Sequence, residues 1–204
     1  MLFIDSTYNL TLGLLDEGYS WLELTHHIGQ KSSAILQKEV YSICSQHNLK
    51  LKDIDGIVSI AGPGFYTGLR LSEGFADILK FMQIPNYSFY SYEIPFWLGH
   101  AEGVWMTKAY RGEYFFHHWK GEESFNKLIS TSELPDYMAS LEKVFIHSPA
   151  SMDELSLGLI KSFDSTFDLL KAMPQAVFKK VVEQKLNRES YYFRAPEDEF
   201  RVSP

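Results

Sequence analysis

A single cysteine, Cys44, stands among 204 residues, so no internal disulfide forms and no cysteine-based zinc site can be assembled. No apolar run approaches the ~18 residues that a membrane-spanning helix needs. The opening Met1-Leu2-Phe3-Ile4-Asp5 lacks a basic stretch and meets an acid at once, which argues against a signal peptide and for a cytoplasmic protein. Positive charge is in deficit, since 19 Lys and Arg against 26 Asp and Glu leave a formal net charge of −7. Strong autonomous binding to a phosphate backbone is therefore disfavoured, and a basic partner has to hold any RNA. A helical His-x-x-x-His metal pair is also missing. His26-His27 and His117-His118 are adjacent doublets, and on a strand neighbouring side chains point to opposite faces. His47, His100 and His147 stand alone. Neither a GxSxG elbow nor a Cys–His nucleophile signature occurs, and the glycines match neither a P-loop nor GxGxxG.

What is present centres on Ile57 to Arg70. A β-branched run, Ile57-Val58-Ser59-Ile60, breaks into Gly62, Pro63, Gly64 and Gly68. Beyond them Leu71, Phe75, Ile78 and Met82 recur at helical steps, so the stretch reads as strand, tight loop and helix. Thr67 is placed to cap that helix, and the N–H groups beside it would suit an anion. The opposing reading makes the glycines a crossover that lets strand and helix pack closely.

Around this centre the first half reads strand, strand, strand, helix, strand, helix, strand. Leu2-Phe3-Ile4 is followed by Asp5-Ser6-Thr7, then by Leu10, Leu12 and Leu14 in alternation, a turn at Asp16-Glu17-Gly18, and a strand from Tyr19 to Leu24. Ser32 or Ser33 caps a helix carrying Leu36, Val40 and Ile43, which stops at Asn48. This order predicts an α/β fold with a ribonuclease-H-like core, and an acid with two hydroxyls after a buried first strand is the opening of the actin-like and sugar-kinase-like (ASKHA) fold. Residues 91–103 read as a helix and connection. Strands follow at Val104 to Ala109, Tyr114 to Trp119 and Val144 to His147, with helices at Ser132 to Leu141, Met152 to Phe163 and from Pro174. Two domains are expected, 1–103 and a reduced second lobe, 104–204.

The nonapeptide GPGFYTGLR, Gly62 to Arg70, resembles the GPGSFTGLR signature of the TsaB (YeaZ) family, with Phe65 in place of Ser and Tyr66 in place of Phe. Three further stretches resemble that family. Asp5-Ser6-Thr7 matches its IDTS opening with the hydroxyls swapped. Lys108 to Tyr114 is similar to Asp-Ala-Arg-Arg-x-Glu-Val-Tyr with two changes, and Tyr191 to Pro196 is similar to a terminal Tyr-Leu-Arg-x-Pro. The family's His-Ser-Glu is replaced by Lys31-Ser32-Ser33.

The resemblance implies a non-catalytic partner of a TsaD-like enzyme in threonylcarbamoyladenosine modification of tRNA. It implies a heterodimer with that enzyme, a TsaE-like ATPase in the full complex, a homodimer when alone, and tRNA contact only through the complex. Matching helices of the related lobes would pair, which places the partner interface at Leu36, Val40, Leu71, Gly74, Phe75 and Ile78. Gly74 and Ala76 are small enough to admit another helix, while Tyr41, Leu79 and Phe81 exceed one sheet-facing stripe. No cofactor of its own is expected, and ATP or ADP would bind only within the complex. Asp5, Gly62, Gly64 and Thr67 are the candidates for a vestigial nucleotide contact. The rival classes are an autonomous ATP-dependent enzyme of the sugar-kinase type and a metallopeptidase.

Overall fold

The computed structural model describes residues 1–110 and 112–193. Arg111, and Arg194 to Pro196 of the terminal motif, lie outside the described residues. The chain divides into two units, Met1–Tyr90 together with the chain from Phe178 on, and Ser91–Val177. Sequence pattern had placed the division at residue 103 and assigned the whole carboxyl end to the second half. Nothing in local periodicity records that the last helix carries the chain back into the first unit.

The first unit is built on a five-stranded sheet of order β3-β2-β1-β4-β5. Its strands are β1 (Leu2–Asp5), β2 (Leu10–Leu15), β3 (Trp21–His27), β4 (Ile57–Ile60) and β5 (Asn86–Phe89). β1, β2 and β3 pair antiparallel, whereas β4 lies parallel to β1 and β5 parallel to β4. Leu2 and Ile4 face a core completed by Leu36, Val40 and Ile43 of α1 (Ser32–Gln46) and by Phe75, Ala76 and Leu79 of α2 (Tyr66–Phe81). Phe3, on the opposite face, meets Phe178 and Trp21 edge to face at 5.4 and 5.6 Å. Burial on both faces explains why β1 and β4 read as apolar runs, while β2 alternates leucine with the small Thr11 and Gly13. Asn48 adopts a left-handed conformation, φ 56°, and ends α1 as its residue type predicts.

Two caps differ from expectation. α1 begins after Lys31 and α2 after Phe65, and neither flanking residue accepts a side-chain capping bond. Thr67 lies inside the first turn and is exposed. The hydrophobic stripe of α2 is also rotated: Leu69, Ser72, Phe75, Ala76 and Leu79 are buried, and Ile78 and Met82 are not. Counting only large apolar residues hid the small ones, Ser72 and Ala76, that bring the helix close to the sheet.

β5 is an edge strand, and the carboxyl segment covers it. Ser88 N–H donates to Leu186 O at 3.0 Å, and Tyr191 N–H donates to Ala61 O at 2.8 Å. An otherwise open ladder is thereby closed, which removes a site for unwanted strand pairing.

The second unit repeats the connectivity. Its sheet has the order β10-β9-β6-β7-β8, formed by β6 (Glu102–Lys108), β7 (Glu113–Lys120), β8 (Glu123–Ser130), β9 (Val144–Ile146) and β10 (Phe163–Ser165). Antiparallel pairs β6/β7 and β7/β8 and parallel pairs β6/β9 and β9/β10 reproduce the first unit strand for strand. The protein therefore has an actin-like fold of two ribonuclease-H-like lobes. The reduction of the second lobe lies in its helices: α4 (Leu134–Ala139) and α5 (Glu154–Leu159) have 6 residues each, against 15 and 16 in α1 and α2. A further short helix follows the fifth strand of each sheet, α3 (Glu93–Trp97) and α6 (Thr166–Ala172), and α7 (Pro174–Glu183) is the last helix among the described residues.

Candidate functional site

The glycine loop is filled by its own chain. A Cβ on Gly68 would stand 1.8 Å from the carbonyl oxygen of Ser6, and one on Gly64 would stand 2.7 Å from Thr7 Cβ. Gly62, at φ +119°, lies against the backbone of Tyr191, whose carbonyl oxygen would be 2.7 Å from an added Cβ. Glycine is needed at Gly62 for conformation and at Gly64 and Gly68 for close approach.

The turn opposite is equally occupied. Asp5 is 2% exposed, and its Oδ1 accepts from Thr7 N–H at 2.9 Å and from Thr7 Oγ1 at 2.6 Å. Ser6 Oγ donates to Gly68 O at 2.6 Å and also meets Ser72 Oγ, while Phe65 N–H donates to Thr7 O at 3.0 Å. Of the four nucleotide candidates, Asp5, Gly62 and Gly64 are thus brought together with their polar or close-packing capacity used internally. Thr67 is left on the surface.

Beside this knot, Arg70 donates to Glu73 at 2.9 Å and stands over the rings of Tyr66 and Tyr192 at 5.5 and 5.6 Å. Ser190 Oγ donates to the other Glu73 oxygen at 2.5 Å, fastening the carboxyl segment to α2.

The second unit places a different chemistry at the equivalent position. β1 ends in Asp5, and β6 ends in Lys108, whose Nζ lies 2.8 Å from Asp153 Oδ2. Asp153 caps α5: its Oδ1 accepts from Ser156 N–H at 2.9 Å and from Ser156 Oγ at 2.7 Å, and Tyr114 OH donates to the same carboxylate at 2.9 Å. Partial burial raises the Asp153 carboxyl, but the bonds from Lys108, Ser156 and Tyr114 outweigh it and hold the group well below the carboxylate range. Burial and the bond to Asp153 push the Tyr114 hydroxyl up to about 12. The start of α5, where an anion would be favoured, is filled by the protein's own carboxylate.

A depressed carboxyl contributes stability that is present above its unfolded value, near pH 4, and is lost as pH falls through its folded value. Asp153→Asn should therefore lower the melting temperature at pH 7 and lower it less near pH 3. Melting curves of both proteins at the two pH values check this, and a pH-independent difference would contradict it.

The histidine doublets point apart as strands require. His26 Nδ1 is 2.7 Å from Thr11 Oγ1, while His27 faces Glu39 at 3.7 Å. His117 bonds Asn126 at 2.7 Å and stacks on Tyr92, whereas His118 bonds Tyr137 at 2.6 Å and stacks on Phe125. Burial lowers both His117 and His118 from the usual imidazole value, which keeps them neutral at pH 7. Among the described residues no group of three metal-binding side chains converges.

The outer face of α1 and α2 carries an apolar groove. A groove of about 530 Å³ runs between them, lined by Val40, Tyr41, Cys44, Leu49, Phe75 and Ile78. Tyr41 is 75% exposed and Ile78 54%, and Phe81, one turn beyond Ile78 on α2, is 92% exposed. Of the predicted interface residues, Leu36 is core, 1% exposed, because it lies on the sheet side of α1. Val40 and Phe75 form the groove floor, Leu71 is half-buried, and Gly74 and Ile78 are exposed. Ala76 faces inward rather than toward a partner.

Two sheets of one connectivity in one chain define the class as the actin-like fold. Within that class the structure is YeaZ-like. YeaZ from Pseudomonas aeruginosa superposes with a TM-score of 0.59 at 17% identity, covering 90% of this chain and 92% of that one. A protein described as uncharacterised, with similarity to peptidase YeaZ from Pseudomonas aeruginosa, gives a TM-score of 0.58 at 17% identity, covering 93% and 98%. The family model "TsaD: tRNA N6-adenosine threonylcarbamoyltransferase" matches residues 27–88, from the end of β3 to β5. No curated protein matches the sequence.

Proposed function

We propose that this chain is a non-catalytic subunit that docks on a TsaD-like enzyme through the outer face of α1 and α2 and is required for threonylcarbamoyl transfer to adenosine next to the tRNA anticodon. The observation that carries the reading is the apolar face itself, with Tyr41 and Ile78 exposed at the groove and Phe81 exposed one turn beyond Ile78 on α2. Its location supports the partner's identity, since both helices fall within the segment similar to the TsaD family. A helix pair from a related lobe would fit by ridges-into-grooves packing and complete a four-helix contact. The same face would carry a homodimer when the partner is absent, and a TsaE-like ATPase would join the assembled complex.

The scaffold role is supported by the state of the two turns. Asp5 is committed to Thr7, the glycine loop is packed against Ser6, Thr7 and Tyr191, and α5 is capped by Asp153. These internal bonds support the reading in which ATP or ADP is held by the complex and not by this chain alone. The net charge of −7 supports a reading in which the partner holds the tRNA. A cytoplasmic location follows from that role.

The test is a reconstituted modification assay with Thr67→Ala, His26→Ala and His117→Ala. Each should keep its rate within about tenfold of wild type, because losing a general acid or base costs roughly 10²–10⁴. A larger loss in any variant that folds and binds the partner would make this chain catalytic. Isothermal titration with ATP and magnesium should give no saturable heat for the chain alone, whereas tight binding would favour a sugar-kinase-type enzyme.

A further inference from the structure

The sheet of the second unit has two edges, β10 and β8. β10 is only three residues long. β8 runs for eight residues in unbroken register with β7, and Glu123 to Leu128 are all exposed. In the first unit the carboxyl segment covers β5, whereas no strand among the described residues pairs with the outer side of β8. A long, regular edge is a template for another strand.

The turn before β8 fixes which backbone groups face outward. Gly121, at φ 58°, opens a two-residue loop that sets Lys120 opposite Glu123, and the residues flanking such a loop bond each other. Odd-numbered residues of β8 therefore bond β7, and Thr131, just beyond the strand, follows suit with its N–H donating to Gly112 O at 2.9 Å. Even-numbered residues, Ser124 and Leu128 among them, turn their N–H and C=O groups outward. Ser130 N–H, on that outward side, donates to the Glu133 side chain at 3.2 Å.

The odd-numbered side chains select the partner. Glu123, Phe125 and Lys127 share one face of β8. Phe125 is 60% exposed even though its ring stacks on His118 with centroids 4.6 Å apart. Lys127 lies over the Tyr137 ring at 4.9 Å, and neither it nor Glu123 forms an ion pair among the described residues. The order acid, aromatic, base is complementary to its own reverse. In an antiparallel pair centred on Phe125, Glu123 of each strand stands opposite Lys127 of the other, and the two Phe125 rings meet. All these pairs fall at positions that exchange no backbone bonds, where side chains approach most closely. Water satisfies both charges in the monomer, so they set the register, while the backbone edge and Phe125 supply the contact.

We propose that β8 pairs antiparallel with β8 of a second copy of this chain, joining the two five-stranded sheets into one about a two-fold axis at Phe125. The contact uses no residue from the outer face of α1 and α2, and it stands whether or not that face docks a TsaD-like enzyme.

The experiment is sedimentation equilibrium of the full chain carrying Ile78→Asp, which removes association through the helix face. A monomer–dimer equilibrium with a Kd of about 100 µM is expected, in the range of small transient interfaces. Lys127→Glu should weaken dimerisation at least about tenfold, because it sets like charges opposite each other twice, and adding Glu123→Lys to it should restore the dimer. Ser124→Pro should abolish the dimer with a native circular dichroism spectrum, since the N–H that proline removes points outward. A chain that stays monomeric at about 1 mM, a dimer indifferent to Lys127→Glu, or a double variant that does not recover would overturn the proposal. So would a chain that stays monomeric while Lys127→Glu weakens its binding to the TsaD-like enzyme, which would give the edge to that protein instead.

Discussion

Gly68→Ala is expected to lower the protein's stability by about 3 kcal/mol or more, while Gly74→Ala, six residues further along the same helix, is expected to raise it. A Cβ at Gly68 falls 1.8 Å from Ser6 O, so the backbone of either α2 or the first turn has to move. The same turn is tied to the helix by Ser6 Oγ donating to Gly68 O, and the movement would break that bond too. Overpacking costs about 1–3 kcal/mol and more where no side chain can yield, against a total stability of roughly 5–15 kcal/mol. At Gly74 nothing lies within 4 Å of the added methyl, and alanine is favoured over glycine inside a helix by about 0.8–1 kcal/mol. Urea titration of the two variants gives opposite displacements of the midpoint. Equal midpoints for Gly68→Ala and wild type would mean that the turn and helix do not approach as described. The conformational argument belongs to Gly62, at φ +119°, and not to Gly64, whose constraint is the contact with Thr7.

Ile78→Asp is expected to abolish binding to the TsaD-like partner without unfolding this chain. Ile78 is 54% exposed and lines the groove beside Phe75 and Tyr41, so a carboxylate there is hydrated in the monomer and would be desolvated in the complex. Central apolar anchors contribute about 2 kcal/mol or more each, and an unpaired buried charge adds to that loss. At least a hundredfold loss of affinity, about 2.7 kcal/mol, follows. Gly74→Arg should act likewise by bulk, since its position is open in the monomer. Gel filtration with the partner and circular dichroism on each variant read the two properties apart. A complex that survives both substitutions would move the interface elsewhere.

Much of this architecture is legible in the sequence where side chains meet one environment. The first unit's seven elements follow from alternation, apolar runs and the left-handed stop at Asn48, because each element buries a distinct pattern. The second unit is harder. β8 exposes six of its first seven residues, so it carries no alternation to read, and β10 is three residues long. Short α4 and α5 provide less than two turns of periodicity each.

The site divides in the same way. Residue types announce the glycine loop, but only the fold shows that Ser6, Thr7 and Tyr191 are the groups packed against its glycines. Asp153, lying 45 residues from Lys108, has no local signal at all. The rotated stripe on α2 shows the opposite error, since Ile78 and Met82 look like core until Ser72 and Ala76 are seen to take the sheet-facing places.

A subunit of such a complex should co-sediment with the TsaD-like enzyme of the same source, and sedimentation velocity of an equimolar mixture reads this out. The predicted result is a single faster boundary at the mass of a heterodimer, lost when Ile78→Asp replaces the wild-type chain. Two boundaries sedimenting independently at micromolar concentration, with both proteins folded, would contradict it.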